Sequence, residues 1–230
     1  EMYLSRSSSD ATGIVKITAN NIYYFDWNTK NGSHSDLKKA EAGETVSLEF
    51  TGAITVNDPV DLYGASQMAR LNLTGIAGSL QNGINLNKAT VLQEIDASST
   101  KACTQAWWFN FEKCVKLSKI DCTNQHGVKT GTSSSTEFDV SNQAKLTTLR
   151  LGGTKVQSVE IAEGAPLTEC VLPDSLSVLK LSYLPLLQMS GLTVQSYANV
   201  ETFIFTNCPG LDWQALLNRC SNVKRIRIEG

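Results

Sequence analysis

One spacing of apolar residues recurs along the chain: apolar-x-x-apolar-x-apolar. It occurs at Met68/Leu71/Leu73, Leu92/Ile95/Ala97 and Leu117/Ile120/Cys122. It returns at Leu146/Leu149/Leu151, Val156/Val159/Ile161 and Leu167/Cys170/Leu172, then at Leu176/Leu179/Leu181, Val200/Phe203/Phe205 and Val223/Ile226/Ile228. The middle residues follow one another at intervals of 24, 25, 29, 10, 11, 9, 24 and 23. An alternation such as Phe203-x-Phe205 puts two side chains on one face of a strand. The apolar residue three positions earlier turns the chain in towards the same core. One coil of this kind cannot bury its apolar face alone, whereas a stack of coils can. The pattern predicts a solenoid of parallel strands.

The three short intervals need a second wall. Leu149 to Cys170 spans 21 residues and Val159 to Leu179 spans 20, about one full coil each. Alternate matches would then lie on opposite walls, with Gly152-Gly153-Thr154 and Pro173-Asp174-Ser175 at the corners. The longest interval contains GVKTGTSSST, so residues 123–137 are expected as a surface loop inserted into one coil.

Residues 14–63 read differently. IVKIT (14–18), IYYFDW (22–27), TVSLEF (45–50) and VDLYG (60–64) are β-rich and separated by Asn, Gly and Ser. The first strand of a solenoid has an open edge that would template aggregation. Residues 1–65 are therefore expected as a β-rich, sandwich-like cap, and residues 66–230 as the solenoid. Glu1-Met2-Tyr3 begins no signal-peptide pattern, so the chain reads as a fragment or mature form, a piece of a larger chain or assembly. The last repeat reads as a bare strand, either separated from a final cap or tolerated because Lys224, Arg225 and Arg227 charge it. Asp212 is the expected N-cap of a helix over 213–219.

Two stretches carry a family resemblance. Val200-x-x-Phe203-x-Phe205-x-x-Cys208, with Leu211-Asp212-x-x-x-Leu216-Leu217 and Cys220-x-x-Val223-x-x-Ile226, resembles the cysteine-containing subclass of leucine-rich repeats. Phe111-x-x-Cys114-x-x-Leu117-x-x-Ile120 resembles the unit of BspA-like repeats, which are common on bacterial surfaces. The resemblance covers residues 64–230. The segment 24–56, with Asp26-Trp27, is similar to a small β-sandwich of the polycystic-kidney-disease type, which precedes leucine-rich repeats in gut Bacteroidetes proteins. These likenesses imply a mainly β fold with short helices: a leucine-rich-repeat-like solenoid after a β-rich capping module. They imply a secreted or cell-surface protein that binds through its strand-lined face. Phage tail proteins of the same habitat carry similar segments, and LYGASQ (62–67) looks like their junction, so a virion is the alternative location.

Composition narrows the chemistry. Of 230 residues, 41% are hydrophobic and 18% charged, and the net charge of −2 gives no footprint for nucleic acid. No apolar run is long enough to span a bilayer. The six cysteines form no Cys-x-x-Cys, and His34 and His126 stand far apart in the sequence, so no zinc spacing and no cofactor are expected. The cysteines fit small buried positions that close coils. Gly-x-Ser-x-Gly is missing and both histidines read as loop residues, so no catalytic residues are expected. A glycan-active enzyme using paired carboxylates is the alternative of a different class. Residues beside each middle apolar position point outwards; of these Thr148, Arg150, Thr202, Ile204, Arg225 and Arg227 are candidate binding residues. Trp107 and Trp108 cannot both easily point inwards. They are candidates for stacking on a sugar or anchoring a protein, with packing between coils as the competing account. The resulting expectation is a non-enzymatic recognition or adhesion module for a protein or glycan partner.

Overall fold

The computed structural model describes residues 2–6, 12–29, 38–51, 60–131 and 136–230. His34 lies outside them. Six strands come first: β1 (Met2–Arg6), β2 (Thr12–Ala19), β3 (Tyr23–Thr29), β4 (Lys38–Ala40), β5 (Thr45–Thr51) and β6 (Val60–Tyr63). The coils then run through β7 (Met68–Asn72), β8 (Leu80–Asn85), β9 (Glu94–Asp96), β10 (Cys103–Asn110), β11 (Lys119–Asp121), β12 (Gln125–Thr130) and β13 (Glu137–Val140). They continue through β14 (Thr148–Arg150), β15 (Ser158–Ile161), β16 (Glu169–Leu172), β17 (Val178–Ser182), β18 (Leu192–Val194) and β19 (Thr202–Thr206). A short helix, α1 (Trp213–Leu217), precedes the last strand, β20 (Arg225–Glu229). The fold is mainly β, with parallel strands stacked as a β-solenoid of about seven turns.

The apolar repeat becomes a column of stacked side chains. On the first wall β7, β9, β11, β14, β16 and β18 pair in parallel. Leu71, Ile95, Ile120, Leu149, Cys170 and Leu192 face one another strand to strand. The second wall begins with β8, β10 and β12, passes to β13 and β15, and ends with β17, β19 and β20. The short intervals fall as the two-wall expectation requires. Leu149 and Cys170 stand on the first wall, and Val159 and Leu179 on the second.

The corners repeat too. In Leu86-x-x-Ala89, Phe111-x-x-Cys114 and Val140-x-x-Gln143 the fourth residue's N–H donates to the first residue's carbonyl, at 2.8, 2.8 and 3.1 Å. Cys114 Sγ also donates to Leu86 O of the preceding coil at 3.1 Å. One coil later Gln143 Nε2 donates to Phe111 O at the same 3.1 Å. The cysteine therefore holds coil to coil, and a glutamine can replace it. All six cysteines are buried and free. Burial pushes the Cys114 and Cys170 thiols up to about 12.

Residues 123–137 are not simply an inserted loop. Gln125–Thr130 is strand β12, parallel to β10, and Glu137–Val140 pairs with β15; residues 132–135 lie outside the described set. The neighbouring ladder satisfies the backbone of a Gly/Thr/Lys-rich segment that its composition marks as a turn. His126 accordingly sits on a strand. Gln125 is fully buried on that strand. Its Oε1 accepts from Trp107 Nε1 at 3.0 Å, and its Nε2 donates to Ala77 O and Ala97 O at 3.0 and 2.8 Å.

Strands of the N-terminal piece extend both walls. β2 pairs antiparallel with β7, and β1 with β8, so the edges that the first coil would expose are covered. One hydrophobic cluster runs from Val15 to Cys220. At the other end β20 pairs with β19. Ile226, expected in the core as the ninth repeat's middle residue, is 54% exposed, because no described strand stacks beyond it. Asp212 Oδ1 caps α1 by accepting from Ala215 N at 3.0 Å.

Replacing Gln125 by Leu orphans one indole N–H and two carbonyls in the core. The expected loss is about 3 kcal/mol or more, read as a lower urea midpoint at unchanged slope. Trp107→Phe strands one amide oxygen and also leaves a void where part of the indole stood, so it too should lower the midpoint. A Gln125→Leu loss near zero would contradict the buried network.

Candidate functional site

The outward face of the first wall carries two rows of side chains, each set by strand register. The first row is Thr18, Arg70, Glu94, Lys119, Thr148 and Glu169. The second is Lys16, Asn72, Asp96, Asp121, Arg150 and Val171. Neighbours within a row lie about 4.8 Å apart in the hydrogen-bonding direction. Local turns fix several of them. Asn72 Oδ1 accepts from Thr74 N and Oγ1, Asp96 Oδ1 from Ser98 N and Oγ, and Asp121 Oδ1 from Thr123 N and Oγ1, at 2.6 to 3.0 Å. Two recesses open on this face. One of about 240 Å³ lies among Lys16, Arg70, Glu94, Asp96 and Lys119, and one of about 510 Å³ among Thr74, Ser98, Thr123, Asp121 and Arg150.

Arg150 is the most tightly held residue of the face. Its Nε and Nη2 donate to the two carboxylate oxygens of Glu169 at 2.8 and 3.0 Å, and its Nη1 donates to Asp121 Oδ2 at 3.1 Å. Glu169 in turn is held below the usual carboxylate range, chiefly by its hydrogen bonds to Arg150. Arg70 pairs more loosely with Glu94, at 3.3 Å.

The other candidates do not join them. Thr202, Ile204, Arg225 and Arg227 lie together on the second wall, where Thr202 faces Arg225 and Ile204 faces Arg227. The outward residues therefore form two surfaces, one on each wall. Arg225 Nε donates to Thr202 Oγ1 at 3.2 Å, and Arg227 Nε to Glu229 Oε1 at 2.7 Å.

The tryptophan pair does not make an exposed patch. Trp107 is 1% exposed and packs edge-on against Phe109, with ring centroids 4.4 Å apart. Trp108 points the opposite way, as alternation demands, and is half-buried. Its ring lies over Gly83 of the adjacent strand, where a Cβ would come within 2.0 Å of it. Gly83 leaves the strand bare and Trp108 covers it.

The repeat marks Asn72 as outward, beside Leu71, but does not single out Lys16 or Thr123. Their signal is the Asx-x-Ser/Thr spacing after β7, β9 and β11 and the antiparallel pairing of β2, which only the fold supplies. Among the described residues no group of three His, Cys, Asp or Glu side chains is placed to hold a metal, and no helix is long and apolar enough to cross a membrane. No protein-family model matches the chain, and comparison with curated proteins and with solved structures gave no match.

Arg150→Met should cost about 1–2 kcal/mol at pH 7, kept small because Glu169 is 40% exposed. The folded carboxyl of Glu169 titrates below its ordinary 4.5. Its contribution is therefore complete above pH 4.5 and disappears as pH falls through the folded value. Urea titrations of parent and variant should converge as pH drops below 4.5. A gap that stays constant would contradict the ion pair.

Proposed function

We propose that this chain is a non-enzymatic recognition module of leucine-rich-repeat character, displayed on a bacterial surface for adhesion to a protein or glycan partner. The observation that carries the proposal is the outward face of the first wall. It presents two registered rows of polar and charged side chains on a rigid ladder, several held by turns or ion pairs. A fixed array of this kind binds without first paying to order its side chains. The chemistry argues the same way. The thiols are buried, and Cys114, Cys122 and Cys170 are pushed up by burial, which removes them as nucleophiles. Glu169 is kept ionised by Arg150, which unfits it as a general acid.

Wall-specific variants test the proposal on an array of glycans and host proteins. Lys119→Glu with Thr148→Trp should cut binding at least tenfold. Thr202→Arg with Ile204→Arg on the second wall should change it less than twofold. The reverse ranking, or turnover of an arrayed glycan, would overturn it.

A phage tail protein is favoured by one observation, the six cysteines, all buried and unbridged. Reduced cysteines suit assembly in the cytoplasm. A thiol titration of the isolated protein under denaturing conditions should find six free thiols on that account and fewer after export with pairing.

A further inference from the structure

We infer that the ligand of the first wall is an acidic polysaccharide, bound through its uronate carboxylates and ring hydroxyls. This inference rests on the recognition function proposed above and specifies its ligand.

The groups left unused on the face point to such a ligand. In the smaller recess Arg70 is paired with Glu94. Asp96 uses Oδ1 for the Ser98 turn. Among the described residues Lys16 and Lys119 make no salt bridge, although Lys119 lies within electrostatic reach of Glu169. The charged lining is thus three cations against two carboxylates, in a chain whose net charge is −2. Two spare ammonium groups suit carboxylates. The second oxygen of Asp96 and the amide of Asn72 suit hydroxyls.

The same recess argues against a protein partner. Protein interfaces centre on buried aromatic or aliphatic anchors. The apolar residues that line it, Leu71 and Ile95, belong to the core and are at most 1% exposed. The larger recess adds hydroxyls from Thr74, Ser98, Ser99, Thr100 and Thr123. Large exposed apolar side chains such as Tyr24, Val115 and Leu186 line neither recess.

Spacing agrees with a linear glycan laid across the strands. Like positions recur every 4.8 Å or so, close to the length of one hexose in a chain. Lys16 on β2 and Lys119 on β11 are three strand spacings apart, about 14 Å across the strands, and stand in adjacent rows, so one short run of sugars laid obliquely reaches both.

Affinity electrophoresis through gels containing polygalacturonate or alginate tests this, with dextran and poly-glutamate gels as controls. The parent should be retarded by at least one uronate polymer and pass dextran and poly-glutamate freely. Lys16→Gln with Lys119→Gln should weaken retardation at least tenfold, with an unchanged melting temperature. Asp96→Asn decides between sugar recognition and bare charge. It keeps the turn acceptor but removes a negative charge, so it should weaken sugar binding several-fold and would strengthen simple polyanion attraction. Stronger retardation of Asp96→Asn, equal retardation by poly-glutamate, or passage through every uronate gel would overturn the inference. If the wall-specific variants abolish binding to a neutral glycan or a protein instead, the recognition function stands and the acidic ligand fails. If they leave binding unchanged, the recognition face itself is wrong.

Discussion

Each coil of this chain leaves its apolar side chains half-covered until another coil lies against it. Leu71, Ile95, Ile120, Leu149 and Cys170 sit in register on successive strands, all at most 1% exposed. Each buries its neighbours as much as itself, so burial is shared along the stack. The exposure of Ile226 shows the constraint from the other side. It holds the repeat position, and no described strand pairs with the far side of β20. At the start the problem is solved by direction: β1 and β2 run antiparallel to β8 and β7 and close the edges without belonging to the repeat.

The polar interior follows from the same stacking. A coil that turns three or four times leaves carbonyls pointing along the stack, and buried ones need donors. Cys114 and Gln143 supply them from equivalent corners in successive coils. Gln125 does so for Ala77 and Ala97 while holding the Trp107 indole. With the interior closed in this way, the recognition proposed for this chain rests on the outward rows. Their spacing is set by the ladder and not by flexible loops, so a polymer with a matching repeat suits this face better than a compact ligand.

Much of this was legible in the sequence. The apolar spacing located the coils, and the short intervals between Leu146 and Leu181 required two walls. The four N-terminal β-rich segments and the Asp212 cap were visible in local composition. Several things were not, among them β1 (Met2–Arg6), which lies in none of those segments. The Gly-, Thr- and Ser-rich segment 123–137 reads as an inserted surface loop, because strand propensity reflects its neighbours more than its residues. Trp107 and Trp108 read as one feature, whereas alternation sends one to the core and the other onto Gly83. The outward residues of the two walls look alike in sequence, because a spacing pattern does not say on which wall each match lies.

The sequence by itself determined that the chain coils, roughly where each coil turns, and which side chains it buries. Those follow from period and burial, which are local. The tertiary structure decided which outward residues stand side by side. Lys16 and Lys119 are 103 positions apart in sequence, yet they share one recess because β2 enters the first wall antiparallel. Strand register across a sheet is a long-range choice, fixed by whichever pairing buries the most apolar surface at once.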